Sequence, residues 1–114
     1  MRCILIVEDE PLIALELGYA CEDAGLVSIT ANSVQAALAA LQEREVDGAV
    51  LDVNLGRGET CEPVAKELKK RNVPFVLHTG DLNRAGEYLL GIEAPIIAKP
   101  SAADSVIERL LAVA

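Results

Sequence analysis

The stretch Ala49-Val50-Leu51-Asp52-Val53-Asn54 decides the fold, because it is an apolar run in mid-chain with one carboxylate near its downstream end. Gly48 precedes it, and Gly56 and Gly58 follow it. A short apolar run between turn signals predicts a buried strand. The acid in it has two explanations. Either Asp52 is a solvated group at the strand end, or it lies in the crevice where open α/β sheets bind ligands.

Length and composition predict one globular domain spanning residues 1–114. Hydrophobic residues make up 52% of the 114 residues, which is enough for a sizeable core. The net charge of -8 argues against direct binding to nucleic acid or an anionic membrane, since both need a basic patch. No apolar run approaches the roughly 20 residues of a membrane span, and no signal peptide is recognisable. We therefore expect a cytoplasmic protein.

The three cysteines, Cys3, Cys21 and Cys61, show no metal-ligand spacing. This usage is typical of free thiols in a reducing compartment, where each cysteine packs as a small apolar residue. The single histidine, His78, has no second ligand or nucleophile near it in the sequence, and we interpret it as structural.

Apolar runs alternate with helical patterns along the whole chain. Alternation of this kind predicts a parallel sheet with helices on both faces and right-handed crossovers. The strands are expected at residues 3–7, 27–31, 49–54, 73–80 and 94–98, and the helices at 11–25, 32–41, 60–71, 81–91 and from 101 onwards.

Local signals at the helix and strand ends support these boundaries. Asp9 or Glu10 is expected to cap the first helix, in which Leu12, Leu15 and Tyr19 recur at helical spacing. The segment 54–58 is expected to be a loop, because it contains two glycines. Ser101 and Asp104 have the spacing of a capping box for the last helix.

Polar side chains gather at one edge of the predicted sheet, since the carboxyl ends of parallel strands all lie there. Each has an ordinary alternative: the acids suit helix caps, the threonine suits a strand, and the lysine suits a surface turn. Together, however, clustered carboxylates repel one another without a cation, and oxygen ligands suit Mg²⁺. Mg²⁺ and a lysine can hold a phosphoryl group, and a carboxylate can accept one. The residues are Glu8, Asp9, Asp52, Thr79 and Lys99.

In order and spacing these residues resemble the receiver domain of two-component response regulators, over essentially the whole chain. The matching motifs are Glu8-Asp9 after the first strand, Asp52 after the third, Thr79-Gly80 after the fourth and Lys99-Pro100 after the fifth. The resemblance implies a flavodoxin-like (βα)5 three-layer sandwich with parallel strand order 2-1-3-4-5.

The resemblance also implies the chemistry of the site. Asp52 would be the phosphoacceptor, and the donor would be a phosphohistidine on a sensor histidine kinase or a histidine phosphotransfer protein. Asp9 would bind Mg²⁺ directly and Glu8 would bind it through water. Asp52 and the backbone carbonyl of Asn54 would complete the protein ligands.

The remaining motif residues would read out the phosphorylated state. Lys99 would pair with the phosphoryl oxygens, Thr79 would swing its hydroxyl towards them, and Gly80 would leave room for the group. The segment 80–91 contains three glycines, so its helix has little intrinsic stability and is the candidate bistable element.

One residue of this chain departs from the common family pattern, and two further observations refine the comparison. Ile96 stands where the family usually carries an aromatic residue, so the usual ring rotamer switch is missing. Asn54 and Asp81 occupy two positions that tune the loss of the phosphoryl group, and an acid at Asp81 suggests a short-lived phosphorylated state. The motif Thr79-Gly80 is similar to part of the Phe-Ala-Thr-Gly motif of an alphaproteobacterial subgroup.

Three functions follow as alternatives. The first is a phosphorylation-dependent switch, either a stand-alone receiver or the receiver fragment of a longer regulator, that acts on no separate substrate. The second is a pseudo-receiver, a protein-binding module that does not need phosphorylation. The third is a Mg²⁺-dependent phosphatase, which usually needs a second acid two residues after the nucleophile, and Asn54 cannot serve in that role.

Overall fold

A computed structural model describes residues 1–80 and 92–113 and confirms the predicted α/β architecture. Within these residues, no helix is long and apolar enough to cross a membrane. The predicted helix at 81–91 lies outside the described residues. The elements are β1 (Cys3–Val7), α1 (Pro11–Asp23), β2 (Val27–Ala31), α2 (Val34–Glu43), β3 (Gly48–Asp52), β4 (Asn54–Gly56), β5 (Glu59–Thr60), α3 (Glu62–Lys70), β6 (Phe75–Thr79), β7 (Ile96–Ala98) and α4 (Ala103–Val113).

The main sheet has five parallel strands in the order β2-β1-β3-β6-β7. Because β4 and β5 pair only with each other, β6 and β7 are the fourth and fifth strands of the predicted sheet, and the expected order 2-1-3-4-5 is confirmed. The register places Val7 opposite Leu51, and Asp52 opposite His78. The carboxyl ends of β1, β3 and β6 therefore meet at one edge.

The two faces of the sheet bury separate apolar clusters. One cluster packs α2 and α3 against alternate strand residues such as Leu5, Leu51 and Leu77. The other packs α1 and α4 against the strand residues on the opposite face of the sheet, such as Ile6. Both faces are covered, which explains why the strands are continuous apolar runs rather than alternating ones. All three cysteines are free and buried, as expected.

The most conspicuous apolar repeat in the sequence of helix α1 faces away from the core. Leu12, Leu15 and Tyr19 are 67%, 50% and 56% exposed. The buried residues of α1 are Leu17, Ala20 and Cys21. The outward stripe therefore contributes little to the stability of the domain.

Two of the expected helix caps are not formed. Glu10 occupies the N-cap position of α1, but its side chain makes no capping hydrogen bond. The Ser101 hydroxyl donates to the carbonyl of Ala98 instead of capping α4, which begins two residues later. By contrast, Ser33 caps α2 and accepts a hydrogen bond from the Ala36 N–H at 3.1 Å.

The segment after β3 is a short antiparallel hairpin rather than the expected loop. Strands β4 and β5 pair through Asn54 with Thr60 and Gly56 with Glu59. The two residues at its tip, Arg57 and Gly58, have φ angles of 54° and 76°. Positive φ at both central positions is the signature of a type I′ turn, which asparagine or glycine favours and arginine does not.

Replacing Arg57 with asparagine is therefore expected to stabilise the protein by about 0.5–1 kcal/mol, because asparagine tolerates the left-handed conformation better. Urea unfolding at neutral pH would measure this change. Arg57→Val is the matched control and is expected to destabilise the hairpin, since a β-branched residue suits positive φ least. Equal stabilities for the asparagine and valine variants would contradict the assignment of the turn.

Candidate functional site

A cleft of about 320 Å³ opens at the carboxyl ends of β1, β3 and β6, where the predicted site residues converge. Asp52 ends β3 and is 5% exposed, and Thr79 ends β6 and is 4% exposed. Sequence reasoning did not assign Glu10 or Gly56 to the site, yet both line the cleft. Its full lining is Asp9, Glu10, Asp52, Asn54, Gly56, Thr79, Gly80 and Lys99.

Lys99 forms ion pairs with two buried acids, one directly after β1 and one at the end of β3. Its Nζ lies 2.8 Å from Glu8 Oε1 and 3.3 Å from Asp52 Oδ2. Only 15% of the lysine side chain is exposed, against 1% and 7% for the two acids. The backbone N–H of Lys99 donates to the carbonyl of Thr79 at 2.8 Å, which fixes the lysine to the end of β6. The peptide bond between Lys99 and Pro100 is cis.

The charges of this cluster are strongly coupled. Burial, together with the hydrogen bond and the negative charge of Glu8, raises the pKa of Asp52 to about 8. Burial also opposes ionisation of Glu8, but hydrogen bonds from Asp52 and Lys99 outweigh it, and the pKa of Glu8 is lowered. Burial opposes the charge of Lys99, but Glu8 and Asp52 raise its pKa overall. The coupled Glu8–Asp52 pair therefore gives up its second proton only at a raised pH, while one carboxylate of the pair is stabilised by Lys99.

The donor set of the cluster fits a hard divalent cation. One carboxylate oxygen from each of Glu8, Asp9 and Asp52 lies within 4.8 Å of the others. Asp9 is exposed, so one side of the group is open to solvent. Mg²⁺ is held in proteins by few carboxylates and keeps several waters, and such an open, oxygen-only group suits it.

The hairpin after β3 shapes the floor of the cleft. The Asn54 N–H donates to Asp52 Oδ1 at 3.3 Å, and the Gly56 N–H donates to Asn54 Oδ1 at 3.0 Å. Gly56 has a φ of 79°, and a Cβ there would lie 3.5 Å from Asp9 Oδ2. A glycine two residues after Asn54 was the signal that sequence reasoning could have used, because the positive φ of the turn favours glycine.

The remaining residues named from the sequence differ in whether they line the cleft. Gly80 lines the cleft, and a Cβ there would meet no atom of the described residues within 4 Å, so the position leaves space. Ile96 is 45% exposed on β7. His78 is buried on β6. Asp81 lies outside the described residues.

Fold and site together define a receiver-type domain, a five-stranded flavodoxin-like sheet with acids and a lysine at its carboxyl edge. The chain belongs to the family of response regulator receiver domains, which it matches over residues 4–111. The resemblance drawn from its motifs is thereby confirmed at the level of the family. The proposed subgroup stays a prediction.

Similar proteins agree with this assignment. The chain is 29% identical to the regulatory protein VirG of Rhizobium rhizogenes over 96% of its own length, but it spans only 47% of that relative. It is 37% identical to SdrG of Sphingomonas melonis Fr1, with a TM-score of 0.79 and coverage of 99% of this chain and 96% of SdrG. The fold also matches the response regulator TrrA of Thermotoga maritima, solved in complex with Mg²⁺-BeF, at 23% identity, a TM-score of 0.80 and full coverage of both chains.

Proposed function

We propose that this receiver domain is a phosphorylation-dependent switch in which Asp52 accepts a phosphoryl group with the help of Mg²⁺. The observation that carries the proposal is the shared Lys99 ammonium, 2.8 Å from Glu8 and 3.3 Å from Asp52. A phosphoryl group on Asp52 would place new negative charge beside this ammonium, in a low-dielectric setting where such contacts are strong.

The donor is a phosphohistidine on a sensor histidine kinase or a phosphotransfer protein. In the transfer, an ionised oxygen of Asp52 forms the new P–O bond while the P–N bond of the phosphohistidine breaks and the imidazole leaves. Asp52 must lose its proton first, because a protonated carboxyl is a poor nucleophile. Lys99 favours that loss, since its charge lowers the pKa of Asp52 against the effect of burial.

Mg²⁺ would be held by Asp9, Asp52 and the carbonyl of Asn54, with Glu8 acting through water. Bound there, it would offset the charge of the phosphoryl oxygens. The structure of TrrA, solved with Mg²⁺-BeF, supports the assignment by similarity of fold. Thr79 and Gly80 border the same cleft, consistent with a hydroxyl that turns towards the phosphoryl group and a small neighbour that leaves it space.

The test is intact-mass spectrometry after incubation with Mg²⁺ and acetyl phosphate. We expect one phosphoryl adduct on the wild type that decays with time, and none on Asp52→Asn. EDTA is expected to suppress the adduct on the wild type. Because the linkage is an acyl phosphate, hydroxylamine should remove it. An adduct of equal yield on Asp52→Asn would overturn the assignment of Asp52, and no adduct at any time would favour a binding module that does not need phosphorylation.

A further inference from the structure

Lys99 borders a second cavity besides the acidic cleft. This cavity has a volume of about 130 Å³ and lies between α1 and the start of α4. Its apolar walls include Ile13, Leu17 and Ala103, and Glu16 stands at its rim. His78, on β6, and Lys99, which follows β7, also line the cavity. None of the roles described above uses this cavity.

His78 is the unexplained group in the cavity wall. It is 3% exposed, and neither Nδ1 nor Nε2 has a hydrogen-bond partner among the residues described. Buried polar side chains are almost always hydrogen-bonded, and leaving one unpaired costs free energy. Burial and the charge of Lys99 both lower the pKa of His78, so the ring is neutral at physiological pH. A neutral imidazole offers one donor and one acceptor.

We propose that the cavity is a binding site for a small neutral molecule with a compact apolar body and one hydroxyl group, which hydrogen-bonds to His78. A neutral ligand is favoured, because one lysine and one acid, Lys99 and Glu16, both line the cavity. The apolar walls require a largely apolar body. The size is suitable, since an engineered apolar cavity of about 150 Å³ in another protein binds benzene.

Water is the alternative occupant. A cavity with polar partners holds water when no ligand is present, and a ligand hydroxyl must reproduce the hydrogen bonds of the water that it displaces. A ring without a hydroxyl would leave the imidazole unpaired. Selectivity for the hydroxylated ring therefore separates a His78-dependent site from a merely apolar void. The site does not depend on phosphorylation of Asp52, so it can be tested on the metal-free protein.

The experiment is an NMR titration of the ¹⁵N-labelled 114-residue chain with phenol, and with toluene as the matched ring without a hydroxyl. We expect phenol to shift the amide resonances of Leu17, His78 and Ala103 saturably. We expect toluene to bind about fivefold more weakly, as the loss of one hydrogen bond predicts. In His78→Leu, which has a similar side-chain volume, the preference for phenol should disappear.

A second variant guards against misfolding of the first. Ala103→Leu is expected to fill the cavity from the start of α4 and to abolish the binding of both rings. Equal affinities for phenol and toluene in the wild type would overturn the proposal, as would saturable shifts that map elsewhere. If neither ring binds, the cavity holds water only and the proposal is wrong.

Discussion

Lys99→Met is expected to lower the free energy of unfolding by about 3 kcal/mol at neutral pH, because it leaves an ionised acid buried without its cation. That acid is Glu8, whose side chain is 1% exposed and whose Oε1 lies 2.8 Å from the lysine Nζ. Methionine keeps much of the length and the apolar stem of the lysine, so packing changes little. Urea unfolding in EDTA would measure the loss.

The loss of stability in Lys99→Met should become smaller as the pH falls. The pKa of Glu8 is lowered from its ordinary value of 4.5, so its ion pair contributes above that pH and is lost as the pH falls. The difference between Lys99→Met and the wild type should therefore shrink towards pH 4.

The chain contains a matched control for this variant. Lys66 Nζ also lies 2.8 Å from a carboxylate, that of Glu62, but the lysine side chain is 65% exposed. Lys66→Met is expected to cost less than about 0.5 kcal/mol, as exposed pairs one helical turn apart usually do. Similar losses for Lys66→Met and Lys99→Met would show that burial does not set the strength of the Lys99 pair.

Asp52→Asn is expected to stabilise the metal-free protein at pH 8, by on the order of 3 kcal/mol, and to leave it nearly unchanged at pH 4. The pKa of Asp52 is about 8 in the folded chain, against an ordinary value of 3.8. The folded state therefore keeps a proton that the unfolded state has lost, and wild-type stability falls as the pH rises through this window. Asparagine cannot ionise and removes that dependence.

The measurement is denaturant unfolding of both proteins in EDTA at pH 3, 4, 6.5 and 8. Asp47→Asn is a control of opposite sign, since the Asp47 carboxylate accepts hydrogen bonds from the Arg2 and Cys3 N–H groups at 2.8 and 2.9 Å. Its pKa is lowered by these bonds, so Asp47→Asn should destabilise the protein increasingly as the pH rises through the range in which that carboxyl ionises. A pH-independent gap between Asp52→Asn and the wild type would contradict the elevated pKa.

Most of the fold could be predicted from the sequence because its strands are continuous apolar runs. The run at 3–7 ends abruptly at Glu8, and β1 ends there too. The hairpin of β4 and β5 was missed, because strands of three and two residues leave no periodicity to detect. In α1, two stripes both have helical spacing, and only packing against α4 decides that Leu17 rather than Leu15 is buried.

The site was predictable as a set of residues but not as a geometry. Strand order alone brings Asp9, Asp52 and Lys99 to one edge. It does not indicate that Lys99 lies closer to Glu8 than to Asp52, or that burial beside Glu8 raises the pKa of Asp52. The sequence also did not indicate that His78 lacks a hydrogen-bond partner, since that depends on which groups of α1 and α4 pack around the imidazole.

The shared lysine also sets the terms on which a metal ion can enter. The Lys99 ammonium is a counter-ion that is covalently part of the protein. Such a tethered group acts at an effective concentration in the millimolar range or above, and dilution of the protein does not lower it. A magnesium ion at the proposed site would compete with this ammonium for the carboxylates of Glu8 and Asp52, and the competition would lower the apparent affinity for the metal. The same Lys99→Met change that weakens the fold should strengthen binding of the proposed metal ion, so a single side chain would set both the stability and the metal affinity.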